Sequence, residues 1–139
     1  MRLLGVDLGR KRIGLAVMPL ELGIASPRSN LEASGTLRKD AESILARARQ
    51  EEADAIVIGL PLNDDGTEGA GARISRMLGQ HLTDLGGNVI FQDERMTSQE
   101  AENVMREAGL KMAAQRKAVD GEAACLILER YAQGVQSGA

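Results

Sequence analysis

Leu3-Leu4-Gly5-Val6-Asp7-Leu8, followed by Gly9-Arg10-Lys11-Arg12 and then Ile13-Gly14-Leu15-Ala16-Val17-Met18, reads as two apolar strands joined by a short basic turn. So short a connection demands antiparallel pairing, a hairpin. A weaker third strand is expected around Leu22 to Ala25. The period then changes. Leu37, Ala41, Ile44, Leu45 and Ala48 fall on one face of a helix expected over Leu37 to Glu52. Ala55-Ile56-Val57-Ile58-Gly59 is almost wholly apolar, as expected of a strand covered on both faces. After a loop from Leu60 to Gly71, helix is expected from Ala72 to Leu85, with Ile74, Met77, Leu78 and Leu82 inward and Gly86-Gly87 as its stop. A strand from Asn88 to Gln92 follows, then helices over Ser98 to Ala108 and Val119 to Gly134. This order implies an α/β fold with a mixed sheet, its first three strands antiparallel and the later two parallel through βαβ crossovers, with helices on its faces.

The 139 residues suffice for one domain, 1–139, and no linker or repeat divides them. With 43% hydrophobic and 27% charged residues the chain should fold. One Tyr, one Phe and no Trp exclude the base-stacking platforms of RRM, OB and cold-shock binders, since Phe91 and Tyr131 cannot build one. A count of 17 basic against 20 acidic residues excludes a general basic coat, although not a local basic patch. Cys125 stands alone in the apolar run Ala123 to Leu128, so no internal disulfide forms and a reducing compartment is expected. Asp7 interrupts the N-terminus before any signal-like stretch, and no run approaches a membrane span. A cytoplasmic protein without membrane contact is the expectation.

Three acidic positions sit where acids are disfavoured. Asp7 lies in or at the end of an apolar strand, where a charge is costly to bury. Either the strand stops before it, or it pairs with the basic turn, or it has a chemical task. Asp93-Glu94 follows Val89-Ile90-Phe91-Gln92, beyond a strand's carboxyl end, where ligands gather in open α/β sheets; a plain ion pair with Arg95 is the alternative. Asp120 shares a helical stripe with Ala123, Ala124, Ile127, Leu128 and Tyr131, which should pack on the sheet, unless it merely serves the helix dipole. Glu122 lies off that stripe, and Glu100 fits a capping box with Thr97. Carboxylates converging from two strand ends and a helix repel one another unless a cation joins them. Oxygen ligands select hard ions, Mg²⁺ or Mn²⁺, and such a cluster suits phosphodiester hydrolysis.

Gly5-Val6-Asp7-Leu8-Gly9 with Arg12-Ile13-Gly14-Leu15-Ala16-Val17, Val57-Ile58-Gly59-Leu60-Pro61-Leu62-Asn63 with Asp65-Gly66-Thr67-Glu68, Asp93-Glu94-Arg95 with Thr97-Ser98, and Lys117 with Val119-Asp120 before Ala123-Ala124 together resemble the YqgF family, also called RuvX. These ordered motifs cover nearly the whole chain. The resemblance implies an RNase H-like fold with a five-stranded mixed sheet, related to RuvC-type Holliday-junction resolvases. It implies a nuclease of precursor 16S ribosomal RNA at its 5′ end, junction resolution being an older proposal. Carried over, Asp7 and Asp120 are metal ligands and catalytic acids, and the second acid falls in Asp93-Glu94-Arg95. Glu94 is the choice, with Asp93 the alternative, because adjacent strand residues point to opposite faces. Ala123 stands where RuvC-type enzymes carry a further acid, which leaves one ion or two open.

The loop from Gly59 to Gly66, with Asn63, is read as facing substrate rather than as an ordinary surface turn. Arg10, Lys11 and Arg12 would put positive charge beside Asp7, where a scissile strand's phosphates must lie, and Arg95 and Lys117 would extend that track. His81 is the only histidine and belongs at a core edge; it excludes a two-histidine ribonuclease and a Cys125-His nucleophile pair. Gly9 to Gly14 fails as a phosphate-binding P-loop because Leu15-Ala16 replaces the Lys and hydroxyl, and Asn63-Asp64-Asp65-Gly66 fails as an EF-hand. Sugar-kinase ATPases share the acidic first strand but need two such domains. Three functions therefore compete: a metal-dependent nuclease of ribosomal RNA precursors, a nuclease of branched or linear DNA, and a ribosome-assembly factor that binds RNA, or ribosomal particles, without cutting. Monomer and homodimer are both open.

Overall fold

The computed structural model describes the backbone of residues 1–94 and 112–137 and the side chains of 1–94 and 121–135. Strands β1 (Arg2–Leu8), β2 (Arg12–Pro19) and β3 (Ser26–Glu32) come first, then helix α1 (Leu37–Gln50), β4 (Ala55–Leu60), α2 (Ala70–Asp84), β5 (Val89–Asp93) and helix α3 (Met112–Ser137). They build one five-stranded sheet in the order β3-β2-β1-β4-β5. β1 pairs antiparallel with β2 from Arg2↔Pro19 to Leu8↔Ile13, and β2 pairs antiparallel with β3 across an irregularity between Ile13 and Leu15. β1–β4 and β4–β5 are parallel. This is the mixed α/β sheet expected, with the opening hairpin at its centre.

Side-chain alternation along the strands divides the core between two faces. Leu4, Val6, Ile13, Leu15, Ile56 and Ile58 pack under Ala41, Ile44 and Ala48 of α1 and Leu78 and Leu82 of α2. Leu3, Ala16, Met18, Ala55 and Val57 pack under Ala124, Ile127 and Leu128 of α3. All six residues of β4 are buried, which is why Ala-Ile-Val-Ile-Gly-Leu shows no polar alternation. Cys125 is a free, buried thiol in the α3 layer.

Three elements depart from the sequence reading. The third strand is Ser26–Glu32 instead of Leu22 to Ala25. It is an edge strand, paired only with β2, so it tolerates Pro27 and polar residues that no central strand would. The more apolar Leu22 to Ala25 is the bend after β2, where the N–H groups of Leu22 and Gly23 both donate to the Pro19 carbonyl and Gly23 takes φ +67°. In α2 the inward stripe is Ala72, Ser75, Leu78, Gly79 and Leu82, while Ile74 and Met77 are 45% and 54% exposed. Small residues win that face because the helix lies close to β5: a Cβ at Gly79 would stand 2.4 Å from the Phe91 ring. Finally, α3 already includes Met112, ahead of the expected start at Val119, since Met-Ala-Ala-Gln-Arg-Lys favours helix without an apolar stripe. The expected end of α2 does hold: Gly87 N–H donates to Leu82 and Gly86 N–H to Thr83, with Gly86 at φ +95°. The helix expected over 98–108, and its capping box, lie outside the described residues.

Gly5 sets the height of α3 above the sheet. A Cβ there would meet Leu128 Cγ at 2.6 Å and the Ala124 carbonyl oxygen at 3.0 Å. Gly5→Ala should therefore cost about 1–3 kcal/mol in urea unfolding. Adding Leu128→Ala should cost less than the two single changes summed, because it removes the atom in conflict.

Candidate functional site

Leu3, Gly5 and Asp7 share the α3 face of β1, so Asp7 lies at the carboxyl end of that face, opposite Gly14 of β2. Glu94 reaches the same place from β5. Its N–H donates to the Leu60 carbonyl at 3.1 Å, carrying the β4–β5 ladder one residue past the end of the strand. The Glu94 carboxyl then lies over Gly59, where a Cβ would stand 2.4 Å from Oε2 and 2.5 Å from Ile127 Cδ1. Gly59 is thus the floor of a slot between the sheet and α3. Nothing in the sequence reading singled it out beyond its loop; its one signal is a glycine ending an otherwise branched apolar run.

Glu94 Oε2 is buried and, among the described residues, has no hydrogen-bond partner. Burial above all, then the charge of Asp7, a hydrogen bond with Asp7 and the charge of Asp93 push the Glu94 carboxyl up to about 9. Two carboxyls this close in a desolvated slot cannot both ionise without help. At the far end of the sheet the opposite holds. Glu51 accepts Arg28 Nε at 2.9 Å and an Arg2 guanidinium N–H at 3.0 Å, and these hydrogen bonds hold its carboxyl below the usual range. Among the described residues, guanidinium partners thus meet one carboxylate and none meets the buried Oε2 of the other.

Asp93, the alternative to Glu94, is the last residue of β5, and alternation gives it the other face. Asp120 is carried by α3, ahead of Ala123 and Ala124, which are buried against the sheet, but its side chain lies outside the described residues. Among the described residues no group of three or more His, Cys, Asp or Glu is placed to hold a metal ion. Arg95 falls outside them, as does the side chain of Lys117 on α3.

Arg10, Lys11 and Arg12 are exposed on the turn that follows Asp7 and Leu8. Gly9 N–H donates to the Arg12 carbonyl at 3.0 Å, a closure only glycine permits, since a Cβ at Gly9 would be 2.6 Å from that oxygen. Ala33 N–H donates to the Lys11 carbonyl at 2.8 Å and pins the turn from outside. The loop after β4 is ordered by its own side chains. Asn63 Nδ2 donates to Thr67 Oγ1 at 2.9 Å, and Thr67 donates from N–H and hydroxyl to Asp65 Oδ1 at 2.9 and 2.6 Å. Glu68 and Arg76 form a two-point ion pair that ties this loop to α2.

A model of the RuvX family, described as Holliday junction resolvase, matches residues 1–134. The chain belongs to the RuvX family. A relative from Anaeromyxobacter sp. (strain Fw109-5) is 44% identical over 135 residues, covering 96% of this chain and 98% of its own. One from Syntrophus aciditrophicus is 37% identical over 136 residues, covering 97% and 90%. Both carry pre-16S rRNA nuclease as a provisional name. Among solved structures, Thermus thermophilus RuvC with a Holliday junction superposes at TM-score 0.55 and 17% identity over 99% of this chain and 96% of that one. The fowlpox virus resolvase with its junction DNA superposes at TM-score 0.58 and 12% identity over 97% and 99%. At such identities the likeness establishes the fold, which is RuvC-like and RNase H-like. No helix among the described residues is long and apolar enough to cross a membrane.

The carboxyl pair makes stability depend on pH. Glu94 titrates higher in the folded chain than the 4.5 of an ordinary glutamate, so its contribution is complete below that value and is lost as pH rises through about 9. In chelator, Glu94→Gln should flatten the fall in melting temperature between about pH 5 and about pH 9 and melt several degrees above wild type near the alkaline end. Thermal unfolding followed by circular dichroism across that range reads the difference.

Proposed function

We propose that this chain is a divalent-metal-dependent nuclease that hydrolyses phosphodiester bonds in 5′-end processing of precursor 16S ribosomal RNA. One observation carries the metal: the buried, undonated Glu94 Oε2 beside Asp7. A buried carboxylate oxygen that no donor meets among the described residues, with a second carboxyl beside it, fits a small hard cation, and oxygen donors favour Mg²⁺ or Mn²⁺. Asp7 and Glu94, with Asp120 from α3, would hold it. When bound, the ion supplies charge neutralisation at a phosphate and a lowered water pKa.

The remaining roles belong to the chain itself. Gly59 leaves room for the acid, and Ile127 closes on the same space from α3. Arg10, Lys11 and Arg12 attract and align the phosphates of the incoming strand, Arg95 and Lys117 continue that path, and the stiffened loop at Asn63 borders it. The relatives' names support RNA as substrate, and processing of ribosomal RNA places the protein in the cytoplasm among assembling ribosomal particles. The family description favours a second reading, cleavage of Holliday junctions or other DNA. Junction resolution needs two cuts and so a homodimer, where a trimming nuclease can act as a monomer.

End-labelled precursor ribosomal RNA, linear DNA and a four-way junction, each with Mn²⁺, Mg²⁺ or chelator, separate these readings. Metal-dependent cutting of the RNA should fall about a hundredfold or more in Asp7→Asn and Glu94→Gln, while RNA binding persists. Preference for the junction would move the assignment to a resolvase. Binding without cutting in any metal would leave an assembly factor. As a readout apart from activity, Mn²⁺ should raise the melting temperature of wild type but not of Asp7→Asn, which in chelator should melt no lower than wild type.

The basic turn has its own test. Arg10→Ala with Lys11→Ala should weaken RNA binding and reduce the slope of log affinity against log salt by roughly one to two. An unchanged slope would remove the turn from the interface.

A further inference from the structure

On the α1 and α2 side of the sheet, back to back with the acid pair, the ends of β1 and β4 open into a second space. It is a cleft of about 410 Å³, walled by Leu8, Leu37, Pro61 and Ile74, with Arg10 and Asp40 as its charged residues. Ile74 has a reason to be half-exposed here: it is a wall of the cleft instead of a core residue. The volume falls in the range of small-ligand sites and exceeds what one flat heterocycle needs.

Asp40 is the unusual member. It is 5% exposed, one of two polar residues among the buried side chains described. Its Oδ1 accepts the Ser34 N–H at 2.8 Å, and its carboxylate forms part of the cleft lining. A carboxylate accepts up to about four hydrogen bonds, so one at the wall of an apolar cleft keeps acceptor capacity for an N–H donor placed there.

We infer that this cleft binds a nucleobase bearing an amino group, guanine above the others. Its ring faces lie against Leu8, Leu37, Pro61 and Ile74, and its N–H edge donates to Asp40. Guanine offers a ring N–H beside an amino group to one carboxylate, whereas uracil flanks its single N–H with two carbonyls that the carboxylate repels. Arg10 at the rim faces the attached phosphate. The inference rests on the nuclease reading for its source of bases. Leu8 follows Asp7, with Cα atoms about 3.8 Å apart, and Pro61 follows the strand that carries Gly59. A strand crossing the carboxyl ends of β1 and β4 therefore meets the acid pair on one side and the cleft on the other. The cleft would thus select which nucleotide lies next to the cut.

The test uses the whole chain, ¹⁵N-labelled, in chelator, so that no metal site is needed. Guanosine 5′-monophosphate at up to millimolar concentration should shift the amide signals of Gly9, Gly35 and Gly71, which line the cleft, more strongly than uridine 5′-monophosphate. Ile74→Glu should weaken that binding about tenfold or more by placing a charge in the wall. Met77→Glu, the same change on the same helix outside the cleft, should not. Asp40→Asn should narrow the preference for guanosine over uridine. A response to the dinucleotide GpU alone would assign the site to a strand-borne base, and an equal response to free nucleotide would assign it to either source. Absence of shifts with both, shifts with inorganic phosphate alone, or an undiminished response in Ile74→Glu overturns the inference. Failure of the nuclease reading shows separately, as guanosine binding in a chain that cuts nothing in any metal.

Discussion

A carboxyl group with one buried oxygen that no donor meets among the described residues, held under a helix in space that glycine leaves open, is the constraint around which this molecule is arranged. Gly59 leaves the volume that the Glu94 carboxyl fills, and Gly5 lets α3 sit low enough to roof the slot. Asp7 stands alongside, so that burial and like charge act together on Glu94. In a folded chain of marginal stability such an arrangement is costly, and the layers on either side of the sheet must carry that cost. They do so with two aliphatic cores, almost free of aromatic rings, that share the same central strands.

Charge is distributed with the same economy. The chain is acidic overall, yet its Arg10-Lys11-Arg12 turn is placed at the sheet end where the acids lie, and tied there by hydrogen bonds at both Gly9 and Ala33. Glu51, by contrast, is neutralised by Arg2 and Arg28 near the other end of β1. Among the described residues, the acid near one end of the sheet has guanidinium partners and the buried Glu94 Oε2 at the other has none. That asymmetry supports the nuclease reading better than the count of acids does.

Much of the site was legible because its residues break local rules. Asp7 in an apolar strand and Asp93-Glu94 after another are conspicuous in a one-dimensional pattern, and the hairpin and the all-buried β4 follow from turn length and hydrophobic runs. The choice between Asp93 and Glu94 was narrowed to one by alternation, but only the extra ladder bond from Glu94 N–H to Leu60 shows that the strand pairing runs far enough to turn Glu94 toward Asp7. The misplaced third strand and the rotated stripe of α2 share one cause. Hydrophobicity alone predicts burial, whereas an edge strand needs few apolar residues and a helix in close contact needs small ones.

The sequence by itself determined the order of the described elements, the direction of each strand, the family and the identities of the candidate acids, since these are written in periodicity, turn length and motif. The tertiary structure alone decided how low α3 sits, which acid faces Asp7, that Gly59 makes room for it, and that Ile74 and Asp40 wall a cleft. Those depend on distances between segments far apart in the chain, and a carboxyl's chemistry is set by what surrounds it in space.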